Sequence, residues 1–149
     1  MHVLWLLTLM LFLPNDSMAG EKGKFVSLLA DYADLRERVQ EVRETRKSGY
    51  ASDTKSLIAL ANEISEAKVA IDKFRGANRK VESTGNNTVV TASYMVYAYD
   101  AMSQMIRAEI DRYFYLPHSD VSLRLAEKYE EIWKMIDPSI PSLPTVPAQ

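Results

Sequence analysis

Three adjacent residues, His118, Ser119 and Asp120, are of the types that form a nucleophilic catalytic triad. A triad needs its side chains to converge from separate points of the chain, with the base held between the nucleophile and the residue that orients it. Neighbours in a turn cannot adopt that arrangement. The triplet instead has the composition of a helix start, where Ser119 or Asp120 accepts hydrogen bonds from free backbone amides. We therefore expect no catalytic residue here.

Methionine is the second candidate for chemistry. Met95, Met102 and Met105 have the spacing of neighbours on one helix, and their thioethers are suitable ligands for copper(I). A methionine together with His118 is also a suitable ligand pair for haem. The simpler interpretation is that these methionines fill a hydrophobic core, as they usually do at helical spacing.

Other signatures of catalysis or cofactor binding are missing from the sequence. The chain has no cysteine, which excludes disulfides and thiolate metal sites. It lacks the paired Glu-x-x-His motifs of di-iron bundles and any glycine-rich phosphate loop. We therefore predict that the protein is not an enzyme and uses neither a metal nor a cofactor.

Asp100 is the most informative single residue, because it is the only charged side chain in residues 89–106. If that segment is a buried helix, the carboxylate needs hydrogen bonds or a cation. An internal polar network or a position at the rim of the core is one interpretation. The other is a contact site for a ligand or partner, built from Tyr94, Tyr97, Asp100 and Gln104.

These residues must be positioned by helices, since helical periodicity dominates residues 21–136. The first predicted helix covers residues 24–48 and stops at Gly49. The second begins after Ser52 or Asp53 and is interrupted at Gly76. In both, apolar residues recur at alternating steps of three and four, which gives each helix one narrow seam to bury. The seams comprise Phe25, Leu28, Tyr32, Leu35, Val39 and Val42, and Leu57, Leu60, Ile64, Ala67, Ile71 and Phe74.

The third predicted helix, over residues 89–116, is apolar around most of its circumference, so it is surrounded by protein or meets a partner. A polar loop over residues 83–88 precedes it. A shorter fourth helix follows Pro117 and ends before Pro138, with a predicted seam of Val121, Leu125, Tyr129, Ile132 and Ile136. The pattern predicts an all-α protein, an antiparallel four-helix bundle. A three-helix bundle with a docked final helix is the alternative.

The N-terminal sequence MHVLWLLTLMLFLPNDSMAG is typical of a secretory signal peptide. Its apolar run, residues 3–13, is shorter than the roughly twenty residues with which a helix crosses a bilayer, so we predict no stable membrane span. Small residues at Ser17 and Ala19 place cleavage after Ala19. We therefore divide the chain into a signal peptide (1–19), a helical bundle domain (20–137) and a proline-repeat tail (138–149).

The tail contains three copies of a hydroxyl residue, an aliphatic residue and a proline. Prolines at every third position favour polyproline II, which has three residues per turn, so Ile140, Leu143 and Val146 form one apolar stripe. Three interpretations are open: a disordered terminus, a stripe packed in a groove of its own bundle, or a docking ligand for another protein.

Together these features predict an exported, non-enzymatic bundle that acts by binding another protein or itself, through the third helix and the tail. Export without cysteine favours a bacterial periplasm over an extracellular location. The alternative function is a carrier or sensor that holds a small apolar or amphipathic ligand between helices. The formal net charge of −2 gives no reason to expect nucleic acid as a partner.

Overall fold

The computed structural model describes residues 16–79, 87–114 and 119–143, and these ranges form a helical bundle with no strand. This confirms the predicted all-α class. The apolar run of residues 3–13, the residue His118 and the tail residue Val146 lie outside the described ranges. The elements are α1 (Asp16–Lys47), α2 (Thr54–Asn78), α3 (Asn87–Phe114) and α4 (Ser119–Ile136), followed by a 3₁₀ turn, Asp137–Ser139.

The connection between α1 and α2 is short because its residues satisfy both helix ends. Gly49 has a positive φ of 78°. This lets its N–H donate to the carbonyl of Arg46 at 3.0 Å while the N–H of Tyr50 donates to that of Thr45 at 3.1 Å. This is the glycine-based C-terminal cap that ends many helices. Of the two predicted caps of α2, Asp53 is the one used, accepting from the Ser56 N–H at 3.1 Å.

Contacts between helices fix the direction of each neighbouring pair. Phe25 stacks on Phe74 with ring centroids 5.5 Å apart, and Arg38 donates to Glu63 at 2.9 Å. Residues later in α1 therefore contact residues earlier in α2, so the two helices are antiparallel. The same test applied to the other contacts makes α2 antiparallel to α3, and α1 antiparallel to α4.

The core follows the seams predicted for the first two helices. Tyr32, Leu35, Val39 and Val42 are buried on α1, as are Leu57, Leu60, Ile64, Ile71 and Phe74 on α2. The three candidate metal-ligating methionines of α3 are 0% exposed and lie within this core: Met95, Met102 and Met105. Their thioethers therefore pack against apolar side chains, which is the core role that their spacing favoured.

Two helices have other boundaries than predicted. α1 begins at Asp16, eight residues before residue 24, so cleavage after Ala19 would remove its first turn and leave the rest of the helix. α2 runs through Gly76 and ends at Asn78. A Cβ at Gly76 would meet nothing within 4 Å, so no neighbour requires a glycine at that position.

The tail continues the bundle after α4 has ended. Ile140 is 7% exposed and belongs to the core, and Leu143 is half-buried against it.

A polar contact anchors the start of this segment. Asp137 accepts a hydrogen bond from the Tyr32 hydroxyl at 2.7 Å and pairs with Arg36 at 2.7 Å. Trp133 in turn donates to the Tyr32 oxygen at 3.1 Å. Burial and the neighbouring Asp137 carboxylate raise the pKa of Tyr32, so the phenol stays protonated.

None of the helices in the described ranges is long and apolar enough to cross a membrane.

If the tail is part of the core, shortening its buried side chain must destabilise the whole bundle. We expect Ile140→Ala to lower the free energy of unfolding by about 2 kcal/mol. Ser142→Ala, two residues on and exposed, is the matched control and should change it by less than about 0.5 kcal/mol. Urea denaturation followed by circular dichroism measures both. Equal stability of the two variants would show that Ile140 contributes no packing energy.

Candidate functional site

The two predicted contact tyrosines of α3 are exposed. Tyr94 is 41% exposed, Tyr97 57%, and Val90, one turn before Tyr94, 47%. Positions i, i+4 and i+7 lie on one flank of a helix. The same flank continues to Ala101, which is only 3% exposed. One half of this flank is therefore open, and the other half is covered by a neighbour.

The neighbour that covers the C-terminal half is α4. The two helices pack closely, and the side chains buried between them are small: Ala98, Ala101 and Ala108 on α3, and Ser122 and Ala126 on α4. However, α4 has 18 residues and α3 has 28. At 1.5 Å per residue α4 is shorter by about 15 Å, so it leaves the first turns of α3 open.

The apolar seam predicted for α4 is only partly buried, and the prediction is wrong for its first half. Val121 is 57% exposed and Leu125 41%, while Tyr129, Ile132 and Ile136 are half-buried against the core. The physical reason is that other side chains take the inward positions: Ser122, Ala126, Glu130 and Trp133 are the buried ones. Glu130 and Trp133 bind partners on α1, and this sets the rotation of α4 about its axis.

The exposed apolar residues of α3 and α4 lie on the adjoining flanks of these two antiparallel helices, each set near the start of its helix. On α3, Asp100 pairs with Lys68 of α2, so the flank that carries Asp100 faces α2. Tyr94 and Tyr97 lie on the other flank, which therefore faces α4. On α4, Glu130 faces α1, so the flank of Val121 and Leu125 is the one toward α3. We call this the α3–α4 surface and define it by Val90, Tyr94, Tyr97, Val121 and Leu125.

The other two predicted contact residues differ in position. Gln104 is exposed and lies two turns beyond Tyr97 on the same flank of α3, whereas Asp100 is turned toward α2. Asp100 and its partner Lys68 have side chains 50% and 39% exposed, so this ion pair lies at the rim of the bundle. The four predicted residues spread over the outer half of α3. Two open grooves, of about 330 and 410 Å³, lie instead between α1 and α2.

A buried network of charges joins three helices at the end of the bundle where α1 stops. Arg46, 8% exposed, donates to Glu109 of α3 at 2.6 Å and also pairs with Glu130 of α4. Glu130 further accepts from Arg43 and, at 2.9 Å, from Lys134. Burial raises the pKa of the Glu130 carboxyl. Lys134, Arg46 and Arg43 lower it by more, so its pKa lies below the usual range.

Sequence reasoning missed this network, although a signal was present. The buried positions of α1 advance by three or four residues, so the position after Val39 and Val42 is Arg46. One further heptad on α3, from Met95 and Met102, leads to Glu109. Two seams that end in opposite charges at the same end of a bundle predict a buried ion pair. The prediction that Asp100 is the only charge of the apolar segment covered residues 89–106, and Glu109 lies beyond that segment.

The network leaves two buried polar atoms without a hydrogen bond. Glu109 is 0% exposed, and its Oε2 lies 3.6 Å from Nη1 of Arg112. Within the described ranges neither atom has a hydrogen-bond partner. The separation is longer than a hydrogen bond, so the two groups attract each other electrostatically without satisfying each other. The other charged groups of the cluster pair with one another, as is typical of a network that stabilises the fold.

No group of three or more His, Asp or Glu side chains in the part of the chain that the structure describes could hold a metal ion. Comparison of the chain with models of protein families, with curated proteins and with solved structures gives no match. Function must therefore be inferred from the side chains and their arrangement.

Removing the charge of Glu130 tests whether the network holds the bundle together. Glu130→Gln leaves the four cations Arg43, Arg46, Lys47 and Lys134 around a neutral amide, and we expect a loss of about 3 kcal/mol in the free energy of unfolding at neutral pH. Because the folded pKa of Glu130 is lowered, its contribution is complete above its unfolded pKa, about 4.5, and is lost as the pH falls through the folded value. The variant should therefore lose less stability on acidification than the wild type.

Glu131→Gln is the matched control, since Glu131 is the exposed neighbour on the same helix. It should change the stability by less than about 0.5 kcal/mol. Urea denaturation of the three proteins across the acidic range provides the measurement. A wild type and a Glu130→Gln variant with the same pH dependence would contradict the assigned role of this carboxylate.

Proposed function

We propose that the protein is an exported, non-enzymatic helical bundle that acts by protein–protein interaction, and that another protein binds at the α3–α4 surface. The observation that carries this proposal is the exposure of five large apolar side chains on the neighbouring flanks of two helices. Exposed apolar residues are common singly, but several of them along the adjoining flanks of two helices favour an interaction surface.

The composition of the surface supports a protein as the partner. Tyrosine is enriched where proteins bind one another, because its ring buries a large area and its hydroxyl still finds a polar partner. Two adjoining helices that expose apolar side chains also suit the apolar face of an amphipathic helix. Val121 and Leu125 at one end, and Val90 and Tyr94 at the other, provide anchor positions for such a helix.

The tail is less favoured as the contact. Ile140 is already buried in the bundle and Leu143 is half-buried, so two of the three predicted tail contacts are occupied by the chain's own core. A partner would have to displace them. The α3–α4 surface needs no such displacement.

Export rests on the N-terminal sequence, which has an apolar run followed by small residues before Gly20. With no cysteine in the chain, we infer a bacterial periplasm as its destination, ahead of an extracellular one. Intact-mass measurement of the protein from its own host tests this. The mature chain should begin at Gly20, and a chain that retains residues 1–19 would show that the segment is not removed.

The alternative function, a carrier of a small apolar or amphipathic ligand, has weaker support. Tyr97, Asp100 and Gln104 were expected to contact such a ligand between helices, and they lie on the outer side of α3. The grooves between α1 and α2 are open on one side and have other lining residues. A carrier with a bound drug-sized ligand would show, in native mass spectrometry, an additional mass on the order of a few hundred daltons.

The interaction is tested by removing its aromatic anchors. We expect the double variant Tyr94→Ala and Tyr97→Ala to remain folded, because both side chains are largely exposed, and to bind its partner about tenfold or more weakly. A photoreactive residue placed at position 125 should cross-link to the same partner in the wild-type background. The partner is identified from that cross-linked product.

The matched control is Tyr50→Ala. Tyr50 is 74% exposed, lies in the α1–α2 connection and is not one of the residues that define the α3–α4 surface. Its replacement should leave both the binding and the cross-link unchanged. Undiminished binding by the double variant, with no cross-link from position 125, would refute the proposed contact surface.

A further inference from the structure

The outer face of the α1–α2 pair, on the other side of the bundle from the α3–α4 surface, has its charges separated along the helix axis. One groove is lined by the carboxylates of Asp31, Asp34, Glu63 and Glu66. The second groove has Lys24 and Lys73 among its lining residues. Ala70 lines both grooves, so they form one continuous surface that is acidic at one end and basic at the other.

The register of the two helices fixes this separation. Phe25 stacks on Phe74 near the basic end, and Arg38 pairs with Glu63 at the acidic end. On α2 itself, Glu66 and Lys73 are seven residues apart on one face, which is about 10 Å along the axis. Ala70 lies midway between them.

On α2, the residues in the middle of the surface are apolar and short. Ala70 is exposed, and Val69 beside it is 54% exposed. α1 and α2 also pack less closely than α3 packs against its neighbours. Small side chains let another helix approach closely, because the distance between helix axes depends on the residues at the contact.

Several charges on this surface are left without an oppositely charged partner among the described residues. Arg38 pairs with Asp34 at 3.5 Å and with Glu63. In the ranges that the structure describes, Asp31, Glu66 and Lys73 make no ion pair. Acidic and basic groups are therefore available at opposite ends of the same groove.

From this arrangement we propose that the α1–α2 face binds a second copy of the protein in a two-fold symmetric dimer, with the axis passing near Ala70. Rotation by 180° about that axis exchanges the acidic and basic ends. Lys73 of one copy then faces Glu66 of the other, and the same contact occurs a second time by symmetry. Val69 and Ala70 of the two copies meet at the centre.

A second copy fits this face better than other occupants. A uniformly basic partner would be repelled at the lysine end, and a uniformly acidic one at the carboxylate end. A surface whose halves carry opposite charges is complementary to itself after a two-fold rotation. This dimer does not depend on the proposed function, because it uses none of the residues of the α3–α4 surface.

Exchanging charges between two exposed positions of α2 tests the proposal. Lys73→Glu alone places the new carboxylate against Glu66 of the other copy, twice in each dimer, and Glu66→Lys alone likewise places a new ammonium against Lys73. We expect each variant by itself to dimerise about tenfold or more weakly than the wild type. When the two variants are mixed, positions 66 and 73 again face each other with opposite charges, so a heterodimer should form.

Sedimentation velocity and native mass spectrometry of the protein recovered from its host give the oligomeric state. The wild-type dimer should weaken when the ionic strength is raised from about 0.05 to about 0.5 M, because exposed charges are then screened. Both substituted positions are exposed, so circular dichroism should show unchanged helicity. A monomeric wild type, variants that dimerise normally, or a mixture that forms no heterodimer would each overturn the proposal.

The test also separates this dimer from the interaction at the α3–α4 surface. The variant with Tyr94→Ala and Tyr97→Ala should still dimerise, and Lys73→Glu should still bind the partner protein. A dimer that is lost in the tyrosine variant and kept in Lys73→Glu would place self-association on the α3–α4 surface and refute the two-fold contact at Ala70.

Discussion

The position of Arg46 between Glu109 and Glu130 is the interaction on which the rest of the bundle depends. Seams of apolar residues bury well in several registers, because one leucine or valine replaces another at little cost. Buried charges are far less tolerant, since an unpaired one loses its hydration without compensation. With Arg46 on α1, Glu109 on α3 and Glu130 on α4, these three helices satisfy one another in a single arrangement.

This arrangement also decides which side chains of α4 point outward. Glu130 and Trp133 must face α1, so the helix is rotated away from the orientation that its apolar residues alone would favour. The exposure of Val121 and Leu125 follows from that rotation. The exposure of Val90 and Tyr94 follows from the short length of α4. The α3–α4 surface thus results from the ion network at one end of the bundle and from the early end of a helix at the other.

The sequence predicted those parts of the fold that depend on a single helix. The seams of α1 and α2 were read correctly because one narrow apolar stripe per helix admits one inward face. α4 was misread because its apolar stripe competes with Glu130 and Trp133, whose partners on α1 cannot be known from α4 alone. Tyr94 and Tyr97 are exposed, and this agrees with a helix α3 that has more apolar surface than one seam requires. The separation of charge on the α1–α2 face appears only once the antiparallel register brings Asp34 and Glu66 to one end.

The docking of Ile140 and the bond between Tyr32 and Asp137 have a consequence for the order in which the molecule can form. Tyr32 and Asp137 are separated by 105 residues, and Ile140 follows Asp137 by three residues. This part of the core can therefore close only after the whole stretch between residues 32 and 140 has been synthesised. Closing so long a segment is entropically demanding and is completed late.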